Sequence, residues 1–288
     1  MKQIIMLVTV LFVLSAGMAQ SGDTTTRAAA DSNKQQSTFT IGSVYANNAN
    51  YYGQKSVEKM PYVALAAVYH HRSGFYISAM GYRLLNDSAK FGSAYNVGIG
   101  FSFPISKSIS GDISYDYSIY PTLSPFLQAS NPHNANLTLK RQGMLDFSVS
   151  GIYAFGKTND FFVIPELSKD IDLFNIGNGG LVTLSPSIDL TAGTQHFYNY
   201  YLKEKSIRDS LLGLLVPPVF GEPANEEGTT KMTSRFDVLS YNLKLPLSYN
   251  RSNLKVEVNA QFSLLSKKAE SQPGKINYFF GGAFYYQF

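Results

Sequence analysis

The chain has no cysteine and no tryptophan among its 288 residues. The first absence excludes disulfides, thiolate metal sites and a cysteine-linked lipid anchor, so the fold must be held by its own sheet. The second leaves any interfacial aromatic belt to 20 tyrosines and 20 phenylalanines. Charge is sparse as well: 15% of residues are charged and the formal balance is +4, part of it from Lys2. No polybasic face for nucleic acid follows from that. Beyond the N-terminal segment, no apolar run approaches the roughly 20 residues of a membrane-spanning helix. Any membrane crossing must therefore use strands. P-loop, dinucleotide and zinc spacings are missing too, and neither a cofactor nor a metal is expected.

What is present starts with export. Met1-Lys2-Gln3 is a short basic start, Ile4 to Ser15 is nearly all apolar, and Ala16-Gly17-Met18-Ala19 supplies small residues for cleavage. This reads as a signal peptide over 1–19. An uncleaved anchor would need a longer run and a different flank than Gln20-Ser21-Gly22-Asp23. Residues 20–36 are small and polar, without periodicity, and are expected to form a flexible periplasmic tail.

From Ser37 onward the period is two. In Ile109 to Ile119 Ser or Asp alternates with mostly apolar or aromatic residues, the pattern of a strand with one face in lipid and one in water. Similar segments lie at about 37–47, 62–70, 75–85, 91–103, 109–120, 143–156, 161–172, 181–202, 232–249, 254–266 and 276–288. An even number is needed if both termini share one side. Splitting 181–202 near Thr191-Ala192-Gly193 gives about twelve strands, with about ten as the alternative. The domain is then 37–288. In this scheme 71–74, 104–108, 156–160 and Asn250-Arg251 are short periplasmic turns, and 48–61, 121–142, 203–231 and 267–275 are outer loops. Pro165, Pro186 and Pro246 fall inside strand-like runs and predict bulges.

The last strand runs from Ile276 to Phe288, with Tyr278, Phe280, Phe284, Tyr286 and Phe288 on one face and Asn277, Gly281, Ala283 and Gln287 on the other. With its terminal aromatic, it resembles the closing strand of bacterial outer-membrane β-barrel proteins. The resemblance implies an all-β fold, an antiparallel up-and-down barrel in the outer membrane of a Gram-negative cell. It also implies membrane lipid as surroundings and, during biogenesis, periplasmic chaperones and a barrel assembly machinery that reads Phe284, Tyr286 and Phe288. A monomer is expected.

Alternation places Asp112, Asp116, Asp146, Glu166, Asp170, Asp172, Lys244, Lys255 and Glu257 on the inner face. Such charges line a polar channel or pair within a packed lumen. A turn at Asn250-Arg251 would set Lys244 opposite Glu257 as a cross-strand pair. Lys203 to Val216, before Pro217-Pro218, carries Ile207, Leu211, Leu214 and Leu215 at helical spacing and predicts a short amphipathic helix covered either in the barrel mouth or against the membrane interface. No catalytic constellation stands out among the histidines: His70 and His71 end a strand, His133 is expected in an outer loop and His196 on an outward half-strand. Asp112 and Asp116 lie about 13 Å apart along one strand, too far for an acid/base pair. The chain is therefore expected not to be an enzyme. The leading expectation is a narrow passive, porin-like channel for small hydrophilic solutes. The alternative is a closed structural barrel acting through its outer loops, and an outer-membrane hydrolase ranks third.

Overall fold

The computed structural model describes residues 36–86, 92–122, 124–177, 179–213 and 235–288, with side chains in the helix only to Ser206. The expected signal peptide, nearly all of the expected tail, and Ile207, Leu211, Leu214 and Leu215 of the predicted helix lie outside the described side chains.

Among the described residues fifteen strands form one antiparallel sheet: β1 (Thr38–Ala46), β2 (Tyr62–His70), β3 (Phe75–Leu84), β4 (Ala94–Pro104), β5 (Ile109–Ile119), β6 (His133–Arg141), β7 (Asp146–Phe155), β8 (Asn159–Ser168), β9 (Ile171–Ile176), β10 (Gly180–Leu184), β11 (Ser187–Gly193), β12 (Asp237–Lys244), β13 (Leu247–Arg251), β14 (Leu254–Leu265) and β15 (Ile276–Gln287). An α-helix, α1 (His196–Gly213), follows β11. Strands β8–β9, β10–β11 and β12–β13 are each a single stave broken by a kink, so the barrel has twelve staves. It closes where β1 pairs with β15, from Thr40 opposite Gln287 to Ala46 opposite Gly281.

The stave number agrees with expectation, but two assignments behind it are corrected. Residues 181–202 do not turn near Thr191-Ala192-Gly193; β11 ends at Gly193 and the chain enters α1. The remaining stave is β6, inside the segment expected to be an outer loop. It pairs fully with both neighbours, including Ile113 with Leu137 and Leu137 with Gly151. Gly156 to Thr158 consequently turns at the end that carries the long connections, not with the short turns.

The three kinks lie side by side. Lys169 N donates to Pro186 O at 3.1 Å, and Ser185 N donates to Pro246 O at 3.0 Å. Pro186 and Pro246 lack a backbone donor, and the ladder breaks beside each. Pro165 behaves differently. It stays within β8 opposite Val149, while the β8–β11 ladder skips the positions around it.

The outward face is apolar around the barrel, with Leu65 67% exposed, Ile77 58%, Ile99 53%, Ile188 55%, Val258 56% and Phe280 48%. Water does not tolerate such a continuous belt, whereas acyl chains do. Among the described residues no helix is long and apolar enough to cross a membrane. Inside, one wall is small or apolar: Ala46, Tyr62, Ala64, Ala66, Val68, Met80 and Tyr82 cluster beneath the β1–β2 connection. The inward side of β15 likewise includes buried Phe279 and Tyr285, so that strand is aromatic on both faces.

Candidate functional site

The inner wall opposite the apolar one is built from β8, β11, β12 and β14. Alternation turns Glu166, Asp189 and Lys244 inward, and register brings them together, since Asp189 is opposite Glu166 and Ser187 opposite Lys244. Lys244 Nζ lies 2.8 Å from Glu166 Oε2 and 2.9 Å from Asp189 Oδ2. All three side chains are shielded from solvent, Lys244 at 2% exposure. Asn242 Nδ2 donates to Asp189 Oδ1 at 2.6 Å, satisfying its second oxygen.

The expected Lys244–Glu257 pair does not form. The β13–β14 turn is at Ser252-Asn253, so Lys244 stands opposite Gln261 and Glu257 opposite Ser248. Glu257 instead meets Lys255 of its own strand, with Oε2 2.7 Å from Nζ. On the other walls, Asp112 accepts from Tyr76 Oη at 2.9 Å and Ser102 Oγ at 2.5 Å. Asp116 accepts from Asn136 Nδ2 at 3.0 Å. Asp146 sits at the short-turn rim and accepts from Gly143 N at 3.0 Å. Asp170 and Asp172 accept from Ser185 and Thr183 at the kink.

The β1–β2 connection, residues 47–61, enters the lumen. Tyr51 and Gln54 exchange backbone hydrogen bonds at 2.8 and 3.0 Å, and Asn50 Oδ1 accepts from Gly53 N at 2.8 Å. Gly53 adopts φ +81° against the β12 wall, where a Cβ would stand 2.6 Å from Ser240 Oγ. Only glycine fits that conformation and approach without strain. Three walls grip the segment. Asn50 Nδ2 donates to Gln261 at 3.0 Å, Ser240 Oγ to Tyr52 O at 2.9 Å, and Asn277 Nδ2 to Gly53 O at 3.0 Å.

Aromatic packing ties this plug to α1. Tyr52 stacks on Phe162 with centroids 4.0 Å apart, and Tyr51 meets Phe197 edge-on at 4.7 Å. Burial holds both phenols well above their ordinary range, so they remain neutral. Asp160, fully buried on β8, caps the helix from outside its own segment. It accepts from His196 N at 2.8 Å, Phe197 N at 2.9 Å, Thr194 Oγ1 at 2.7 Å and Asn131 Nδ2 at 2.8 Å. A carboxylate there satisfies orphan N–H groups and complements the helix dipole. His196, expected on a lipid-facing half-strand, is thus a helix-start residue whose Nδ1 lies 3.1 Å from Asp160 Oδ1. His133, expected in a loop, is on β6, with Nδ1 2.6 Å from Tyr115 Oη.

Sequence reasoning missed Asp160, the plug, the role of Asp189 and the inward row Asn134, Asn136, Thr138 and Lys140 of β6. The row was visible as alternation with Ala135, Leu137 and Leu139. The others depend on contacts between distant segments. Among the described residues no group of three or more His, Asp and Glu side chains could hold a metal.

Fold and site together define a closed twelve-stave antiparallel β-barrel with a lipid-compatible exterior and an occluded, partly charged lumen. No family model matches the chain, and no curated protein matches it in sequence. Solved structures similar in fold are outer-membrane barrels. A KdgM porin shares 9% identity over 86% of this chain and 99% of its own, with a TM-score of 0.47. LpxR from Salmonella typhimurium shares 8% over 86% and 99%, with 0.45. An outer membrane channel from Pseudomonas putida F1 shares 8% over 90% and 100%, with 0.43.

Proposed function

We propose that this chain is a monomeric outer-membrane β-barrel, exported by a cleaved N-terminal segment and inserted by the barrel assembly machinery. Its function is that of a narrow channel for small hydrophilic solutes, held shut by residues 47–61. The observation that carries this reading is the incomplete satisfaction of the plug. The hydroxyls of Tyr51 and Tyr52 and both polar atoms of Gln54 are buried without a hydrogen-bond partner. Each such group costs about 1–3 kcal/mol. That cost offsets part of what the aromatic clasp contributes and favours a segment able to leave. Behind it the wall is hydrophilic, with Ser240, Asn242, Ser248, Gln261 and Ser263 facing inward.

A second reading, the closed barrel acting through its outer connections, is favoured by the buried Lys244–Glu166–Asp189 cluster, which needs no water path. The hydrolase reading has the His196–Asp160 contact in its favour, but that carboxylate is already engaged by the helix terminus.

Ala46 is paired directly with Tyr62, so an Asn-Gly turn can replace 47–61. Planar-bilayer conductance would be recorded for the full-length mature chain, for that variant, and for one also lacking 203–231, with folding checked by heat-modifiable gel migration. The expected result is brief, rare openings for the parent and steady conductance once the plug is removed. Folded but silent variants would refute the channel and leave the closed barrel.

A further inference from the structure

A second polar cluster on the inner wall takes no part in the plug or the salt bridges. Gly98 of β4 sits between Ser78 of β3 and Asp116 of β5 in one row of the ladder. Asp116 Oδ1 and Ser78 Oγ both lean over the glycine, into the space a Cβ would take. The residues are 3% and 6% exposed, and neither of those oxygens has a hydrogen-bond partner. Asn96, two positions from Gly98 on the same face, and Asn134, opposite Asp116, also bury an Oδ1 without a partner.

The amide ends of two neighbours are fixed by what they touch. Asn96 Nδ2 donates to Ser118 Oγ at 2.9 Å, and Asn136 Nδ2 donates to Asp116 Oδ2 at 3.0 Å. What is placed over Gly98 is therefore a pair of unpartnered oxygens, Asp116 Oδ1 and Ser78 Oγ, with the Asn96 and Asn134 acceptors at adjoining positions of the same wall. The lumen ion pairs of Lys244 and Lys255 are made with Glu166, Asp189 and Glu257, leaving the Asp116 carboxylate outside them. A buried carboxylate calls for a compensating positive charge.

We infer that Asp116 and Ser78 hold one hard monovalent cation of the Na+ kind above Gly98, with Asn96 and Asn134 on the same wall as the further oxygen donors. An all-oxygen donor set selects hard cations. A single carboxylate is neutralised by a monovalent ion, whereas a divalent ion would call for a second one at the same place. The site does not depend on whether the barrel conducts.

The test compares unfolding of the full mature chain in NaCl and in N-methyl-D-glucamine chloride at equal ionic strength and pH. Na+ at ten times its dissociation constant should multiply the folded-to-unfolded ratio about 11-fold. Gly98→Ala keeps every oxygen but puts a methyl among them, and Asp116→Asn removes the charge; both should abolish the Na+ response. Ser78→Ala, with its smaller disturbance, should weaken it and serves if either of the first two fails to fold. A parent without Na+-specific stabilisation, as a protonated Asp116 would give, overturns the site. So does a folded Asp116→Asn or Gly98→Ala protein that retains the response, and a response to CaCl2 alone overturns the monovalent assignment.

Discussion

Replacing Lys244 with methionine separates a dry lumen from a wet one. The ammonium holds Glu166 and Asp189 at 2.8 and 2.9 Å, with those carboxylate side chains 4% and 0% exposed. Losing it leaves Glu166 and Asp189 buried without the ammonium they share, which costs about 3–5 kcal/mol. Neutralising all three positions, as Glu166→Gln, Asp189→Asn and Lys244→Met together, removes the uncompensated charge and should restore stability to within about 1 kcal/mol of the parent, because a buried ionic cluster and a neutral packed one are often nearly equal. With no tryptophan to report, far-UV circular dichroism during urea unfolding in detergent micelles is the suitable assay. A loss below about 1 kcal/mol for Lys244→Met alone would mean that lumen water hydrates the carboxylates, and the occluded reading of this wall would fall.

Three further outcomes are expected. Deleting Phe288 removes the pair of backbone hydrogen bonds it exchanges with Phe39, at 2.8 and 3.5 Å, and should lower the heat-modifiable fraction inserted into membranes; unchanged insertion counts against its role in targeting. Asp160→Ala strips the cap from α1, costing about 0.5–2 kcal/mol locally, and should speed tryptic cleavage at Lys203 and Lys205 while the barrel stays intact. Gly53→Val forces a β-branched residue into φ +81° against Ser240; it should loosen the plug and raise conductance, and a silent, fully folded variant would contradict the gate.

Much of the architecture was legible because strand alternation is local. Every second residue from Ile109 to Ile119 reports its own face, and those faces follow the alternation. Register is not local. The partner expected for Lys244 was misassigned because the turn lies at Ser252-Asn253, and a shift by an even number of residues preserves faces while changing every neighbour. The stave number emerged from two compensating errors, with β6 overlooked in favour of a long loop and the run through Pro186 divided. Asp160 looked like a turn residue because the helix it caps begins more than thirty positions later. The plug was opaque for a similar reason: nothing within Asn47 to Pro61 announces that Tyr51 will rest on Phe197.

The pairing of β1 with β15 also constrains how the molecule can be made. Neighbouring staves follow one another along the chain, joined by a turn or a loop, but the seam pairs the first strand with the last. Its two edges carry unpaired N–H and C=O groups until the final stave arrives, and such edges are prone to intermolecular pairing. A barrel with its seam open would present those edges, so closure is expected to be all-or-none, at the end of folding and insertion. Conditions that slow delivery of the last strand should appear as aggregation of whole chains rather than accumulation of smaller barrels.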